Sequence, residues 1–213
     1  MSNGFNTTFN GKAFKIDSCS GKVLDTTTRA ETEVSGSGGG GGGFTYNGTG
    51  GSGAAPVRIT PTTTHFTKIF LLEPDGKEHA IELVDFDVRC RAGNGLSLVW
   101  AINLAKNEGP YIAAYNHNTR EMEFNLPILA KLNTPKLYSL AGGAAAGFLL
   151  GLLLHFGGFA IITALIGLGI GDMIGKRIGK ARAKTFVSSP EMQKLRGAFE
   201  RIPASELAVL TPA

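Results

Sequence analysis

Few residues of this chain belong to types that do chemistry, and their surroundings decide what each can do. Cys90 lies in Val88-Arg89-Cys90-Arg91, where flanking guanidinium groups favour a thiolate and hence a nucleophile. On an alternating strand, however, the two arginines project to one face and the thiol to the other, so the pattern predicts a buried, inert cysteine. Cys19 is the only other cysteine, and with no C-x-x-C spacing the pair forms neither a zinc ribbon nor a disulfide framework. His65, His79 and His117 have neither the i, i+4 helical spacing nor the carboxylate arrangement of a metal centre. His79 alternates with strand neighbours and is expected on an exposed face. No G-x-S-x-G nucleophile elbow occurs. The sequence is therefore read as that of a non-enzyme, with no catalytic, cofactor-binding or metal-ligating residue and no cofactor.

The glycine-rich stretch GSGGGGGGFTYNGTGGSG, residues 36–53, invites a phosphate-binding reading. A Walker loop needs a following lysine with serine or threonine and a helix, and the dinucleotide fingerprint also needs a helix. β-branched residues and prolines follow here instead. A loop without chemistry is the expectation, with Phe44 and Tyr46 as apolar anchors that dock it or pair it with a neighbouring subunit.

These residues must be positioned by a chain of 213 residues carrying a net charge of +4, long enough to bury a core without staples. Its thirty glycines lack the three-residue period of collagen, and 43% hydrophobic content excludes a disordered chain. Two runs, Thr67 to Leu72 and Glu78 to Val84, read as a hairpin joined by Glu73-Pro74-Asp75-Gly76-Lys77, where proline presets φ and glycine accepts a positive φ. Further strands are predicted from Gly95 to Asn103, Tyr111 to Asn116, Glu121 to Asn125, Lys22 to Ser35 and Pro56 to Thr64. Many short strands suggest a small barrel or sandwich, OB-like or SH3-like.

From Leu137 to Ile174 the only ionisable groups besides a tyrosine are His155 and Asp172. About 38 helical residues would reach roughly 57 Å, nearly twice a bilayer core, so the run is expected to fold at His155-Phe156-Gly157-Gly158-Phe159 into a transmembrane helical hairpin. Lys131 and Lys136 precede it, and Lys176, Arg177, Lys180, Arg182 and Lys184 follow it, as topology determinants that also meet lipid head groups. The positive-inside rule then places both termini in the cytoplasm, and the whole reads as an integral protein of a bacterial inner membrane. No cleavable signal peptide competes, since the first residues are polar. A buried hairpin of a non-membrane protein and a re-entrant hairpin are the alternatives.

Gly143, Gly147 and Gly151 recur every four residues in the first helix, as do Gly167, Gly171, Gly175 and Gly179 in the second and beyond it, so each set lines one face for close helix packing. The two grooves face each other within the hairpin or drive homo-oligomerisation. This spacing resembles the glycine-zipper helices of membrane-active and channel proteins. Asp172 is expected to pair with Lys176 one turn on. Ser189-Pro190-Glu191 reads as an N-cap, a proline at the first helical position and an acidic first turn, opening an amphipathic helix whose Met192, Leu195, Phe199 and Ile202 stripe lies on the membrane surface, pairs with a partner or, the favoured reading, packs on the β domain.

The fold expected is thus α+β: an N-terminal segment (1–20), a cytosolic β domain (21–130), the transmembrane hairpin (137–174) and a basic segment with a C-terminal helix (175–213). Such an arrangement resembles bacterial inner-membrane sensors and effectors. The function expected is non-enzymatic: the β domain binds an unidentified protein partner or small ligand, and the hairpin anchors the chain in lipid and oligomerises it. A membrane-perturbing effector or channel-forming subunit is the alternative. A pI near 9.1 suggests nucleic acid, but the juxtamembrane cations account for much of the charge and the β region lacks a basic and aromatic platform. Nucleic-acid binding is not expected.

Overall fold

A computed structural model describes residues 4–37, 42–46, 49–53, 58–153 and 159–210. The first strand, β1 (Phe5–Phe9), turns through Asn10 and Gly11, both at positive φ, into the 26-residue β2 (Lys12–Ser37). Asn-Gly suits the type I′ turn of a two-residue hairpin, because both residues tolerate the left-handed region. Next come a short separate hairpin, β3 (Gly42–Tyr46) and β4 (Thr49–Gly53), and then β5 (Arg58–Leu72), β6 (Glu78–Val84), β7 (Gly95–Asn103), β8 (Tyr111–Asn116) and β9 (Glu121–Phe124). The helices are α1 (Leu126–Asn133), α2 (Lys136–Leu153), α3 (Phe159–Val187), α4 (Pro190–Glu200) and α5 (Ala204–Ala208).

The main sheet is antiparallel and ordered β6-β5-β2-β7-β8-β9, with β1 also paired to β2. Its ends do not meet among the described residues, so the expected small barrel, OB-like or SH3-like, gives way to an open sheet. Length explains the difference: β2 is far longer than a barrel stave and serves β1, β7 and β5 in turn along one strand. Beyond its register with Phe66, β2 and β5 continue as a ribbon from Arg29 to Ser37 that no third strand joins among the described residues.

Alternation along the strands produces two cores. One face carries Phe9, Phe14, Ile16, Val99, Ala101 and Tyr115 against Leu129 of α1, Ala183 of α3 and Met192, Leu195 and Phe199 of α4. The opposite face carries Val23, Ile69, Leu71, Ile81, Leu83 and Leu98, closed over by Phe86 and Val88 from the segment between β6 and β7. α4 begins as its residues demand: Ser189 Oγ accepts from the Met192 N–H, and Pro190 occupies the first turn.

The hairpin departs from the expected membrane anchor. Among the described residues no helix is long and apolar enough to cross a membrane. α2 has 18 residues, about 27 Å of rise, and its first is Lys136, whereas a bilayer core is roughly 30 Å thick. α3 is longer, with 29 residues, but only 159–171 precede Asp172, and five cations follow within its helical body. Its C-terminal part joins the globular domain: Ala183 is 1% exposed, and the Phe186 ring meets the Phe9 ring edge-on at 4.9 Å. Half of what the sequence reads as a spanning segment and its juxtamembrane tail is one helix that holds the domain. The transmembrane helices, the integral membrane placement and the inner-membrane orientation with both termini cytoplasmic therefore lose their basis. The expected turn at His155 to Gly158 lies outside the described residues.

Candidate functional site

The groups with chemical potential are dispersed. His65 is exposed on β5, with its backbone N–H on Asp85 Oδ1 at 3.0 Å. His79, on β6, faces outward 3.7 Å from Glu73. Among the described residues no group of three or more histidine, cysteine or acidic side chains is placed to hold a metal. Cys19 and Cys90 are both free thiols. Burial, followed by the Glu73 carboxylate, pushes the Cys19 thiol up to about 12. Burial likewise raises the Cys90 thiol. Both shifts disfavour the thiolate, which is the reacting species of a cysteine.

Among the described histidines, His117 alone is drawn into a buried polar network. Its Nδ1 lies 3.1 Å from the Ile202 carbonyl, which can only accept, so Nδ1 carries the proton. Nε2 then accepts from Ser97 Oγ at 2.7 Å, and Ser97 accepts from Ser20 Oγ at 2.5 Å. Burial holds the imidazole below its ordinary value, in keeping with the neutral tautomer. Ser97 is fully buried and His117 is 5% exposed, so the relay lies inside the fold. It ties the segment after α4 to the sheet, next to Gly95, on which Leu207 of α5 packs. No pattern along the chain announces it, because Ser20, Ser97, His117 and Ile202 meet only after the strands have paired.

The most unusual surface is the α2–α3 hairpin. Gly143 and Gly147 of α2 face Gly167 and Thr163 of α3 so closely that a Cβ at Gly143 would come 2.2 Å from the Gly167 carbonyl oxygen. A Cβ at Gly147 would come 2.1 Å from that of Thr163. Gly171 Cα lies 3.0 Å from the same Gly143 position, and Gly151, Gly171 and Gly175 are buried. The glycine faces are thus turned on each other inside the hairpin. Lys176, Arg177, Lys180, Arg182 and Lys184 are exposed along α3, and Lys176 Nζ pairs with Asp172 at 2.5 Å.

With the glycines facing inward, the large aliphatic residues face outward. Among the described residues between Phe148 and Ile174, eleven large apolar side chains remain exposed, from 45% at Phe148 to 67% at Ile161. Together they present on the order of 1,000 Å² of apolar surface, distributed around both helices because successive positions such as Phe148, Leu149 and Leu150 point about 100° apart. A groove of about 600 Å³ runs along one side, floored by Gly143, Gly147 and Gly167 and walled by Leu150, Ile166 and Ile170. Comparison with protein-family models, with curated proteins and with solved structures gives no match.

Proposed function

We propose that the chain is a non-catalytic, self-associating interaction protein. The α2–α3 hairpin is its homo-oligomer interface, and the β domain is the part that meets a partner or small ligand. The observation that carries this reading is the apolar surface of the hairpin. A stable association commonly removes about 800 Å² from each partner, and the exposed apolar side chains of the hairpin are together of that order. A second copy is the occupant that fits best, because the groove is shaped by one hairpin and the aliphatic ridge beside it has the same chemistry. Two copies can exchange ridge for groove in an isologous contact.

Light scattering of the full chain tests this. The expected mass is a multiple of the monomer at micromolar concentration, falling to the monomer in the Ile166→Asp/Ile170→Asp double variant with unchanged far-ultraviolet circular dichroism. A monomeric parent chain would overturn the reading. So would a chain that stays monomeric and floats with phosphatidylglycerol vesicles, which would assign the face to lipid.

A further inference from the structure

A second surface lies on the β domain, where the segment after β6 passes the β8–β9 turn. A cleft of about 510 Å³ is lined there by Arg89, Arg91, Asn94, Asn116, Asn118 and Thr119, with Cys90 beside them. We propose that this cleft binds a small phosphate monoester. The proposal rests on the reading of the β domain as the ligand-meeting part, and it names the ligand class.

The donor and acceptor inventory points to an anion. Each asparagine in the cleft spends its side-chain oxygen on the backbone: Asn94 Oδ1 accepts from the Arg91 N–H at 2.9 Å, and Asn118 Oδ1 from the Gly95 N–H at 2.9 Å. Asn116 Oδ1 accepts from Asn118 and Thr119 at 2.9 and 3.2 Å, and its amide nitrogen donates to the Arg89 carbonyl at 2.7 Å. These bonds fix the side chains and turn their oxygens toward the backbone. The amide N–H groups of Asn94 and Asn118, the Thr119 hydroxyl and the Arg91 guanidinium keep their donors without a partner among the described residues. Arg89 adds a second guanidinium, 80% exposed, whose Nε is ion-paired with the Glu123 carboxylate at 3.6 Å while its terminal amino groups make no ion pair among the described residues. Among the described residues no carboxylate lines the cleft itself.

A wall of fixed donors with two guanidinium groups suits an acceptor-only ligand with several oxygens, and guanidinium binds phosphate in a bidentate manner. A carboxylate offers two oxygens and leaves part of this donor set unused. The volume exceeds that of a bare phosphate and falls within the range of small-ligand sites. No aromatic ring lines it, so a stacked nucleobase is not provided for, and a small polyol is the body that fits.

Titration of the full chain with glycerol 3-phosphate, inorganic phosphate and acetate at matched ionic strength tests the assignment, read from the side-chain amide resonances of Asn94 and Asn118. Glycerol 3-phosphate is expected to saturate below about 1 mM, at least tenfold tighter than acetate. Arg91→Gln is expected to weaken it about tenfold or more, and Arg91→Lys, which keeps the charge but loses the fork, by severalfold. Arg91 is exposed and makes no side-chain contact that the fold needs, so these variants should fold normally. No saturable shift by 10 mM, equal binding of acetate, or full binding by Arg91→Gln would overturn the proposal. Failure here is separable from failure of self-association, because Arg91→Gln is expected to keep the oligomeric mass and the monomeric Ile166→Asp/Ile170→Asp variant to keep phosphate-ester binding.

Discussion

Placing a methyl group on Gly143 sets two effects of known size against each other. Glycine to alanine inside a helix is worth up to about 1 kcal/mol in favour of the helix, from reduced backbone entropy in the unfolded chain. At Gly143 the added Cβ would come 2.2 Å from the Gly167 carbonyl oxygen, and at Gly167 it would come 2.1 Å from that of Gly143. Both obstacles are backbone, so the helices must separate, and overpacking of this kind costs about 1–3 kcal/mol or more. Gly142 and Gly169 sit in the same two helices with nothing within 4 Å of an added Cβ. Alanine there should collect the propensity gain alone. The propensity gain is common to both, so the expected difference between the facing and open positions is the overpacking cost, about 1–3 kcal/mol, or from about fivefold to above a hundredfold in the opening equilibrium. Because hydrogen exchange reports local opening as well as global unfolding, amide exchange of α2 and α3 is the suitable assay. It is best performed in the Ile166→Asp/Ile170→Asp background, where association does not contribute. Protection at Gly143→Ala or Gly167→Ala equal to that at Gly142→Ala or Gly169→Ala would refute the close packing of the glycine faces.

The buried relay gives a pH prediction. The folded imidazole of His117 is held below its unfolded value of 6.5 by burial, so the unfolded chain binds the proton more readily. Its contribution to stability is therefore complete above about pH 6.5 and is lost as pH falls toward the folded value; urea midpoints should drop on acidification below 6.5, and His117→Gln should flatten that slope. Ser97→Ala leaves the Ser20 hydroxyl and His117 Nε2 without their shared partner, and should cost about 1–3 kcal/mol in chemical denaturation at pH 7.5. With its thiol near 12, Cys19 should react with a disulfide reagent at pH 8 only after denaturant is added, and rapid labelling of the native chain would contradict its placement.

Legibility followed the range of the determining interactions. The β5–β6 hairpin stands in the sequence because Pro74, Asp75 and Gly76 are local turn chemistry, and Gly76 takes a φ of 85°. Ser189 and Pro190 announce α4 for the same reason. β1 was equally open to inspection, since Asn10-Gly11 between Phe9 and Lys12 is a strong hairpin signal, but the polar residues around it hide the strand. Closure of the sheet was not legible, because alternation sets the face of each residue and not which strand ends a sheet. The hairpin misled for a physical reason: apolarity over residues 137–174 fits lipid or protein equally, and only tertiary contact shows that Ala183 and Phe186 carry α3 into the domain core. The donor-lined cleft is likewise a product of folding, bringing Arg91 and Asn94 beside Asn118.

Disulfide trapping tests self-association most directly. A cysteine at Leu165, 62% exposed on the hairpin, is compared with one at Val34, 64% exposed on the β2–β5 ribbon, each in the full chain under mild oxidation. Rapid covalent dimer at position 165, abolished by Ile166→Asp/Ile170→Asp and slow at position 34, is the expected result. Cross-linking at position 165 no faster than at position 34 would contradict the hairpin as the meeting surface of two copies.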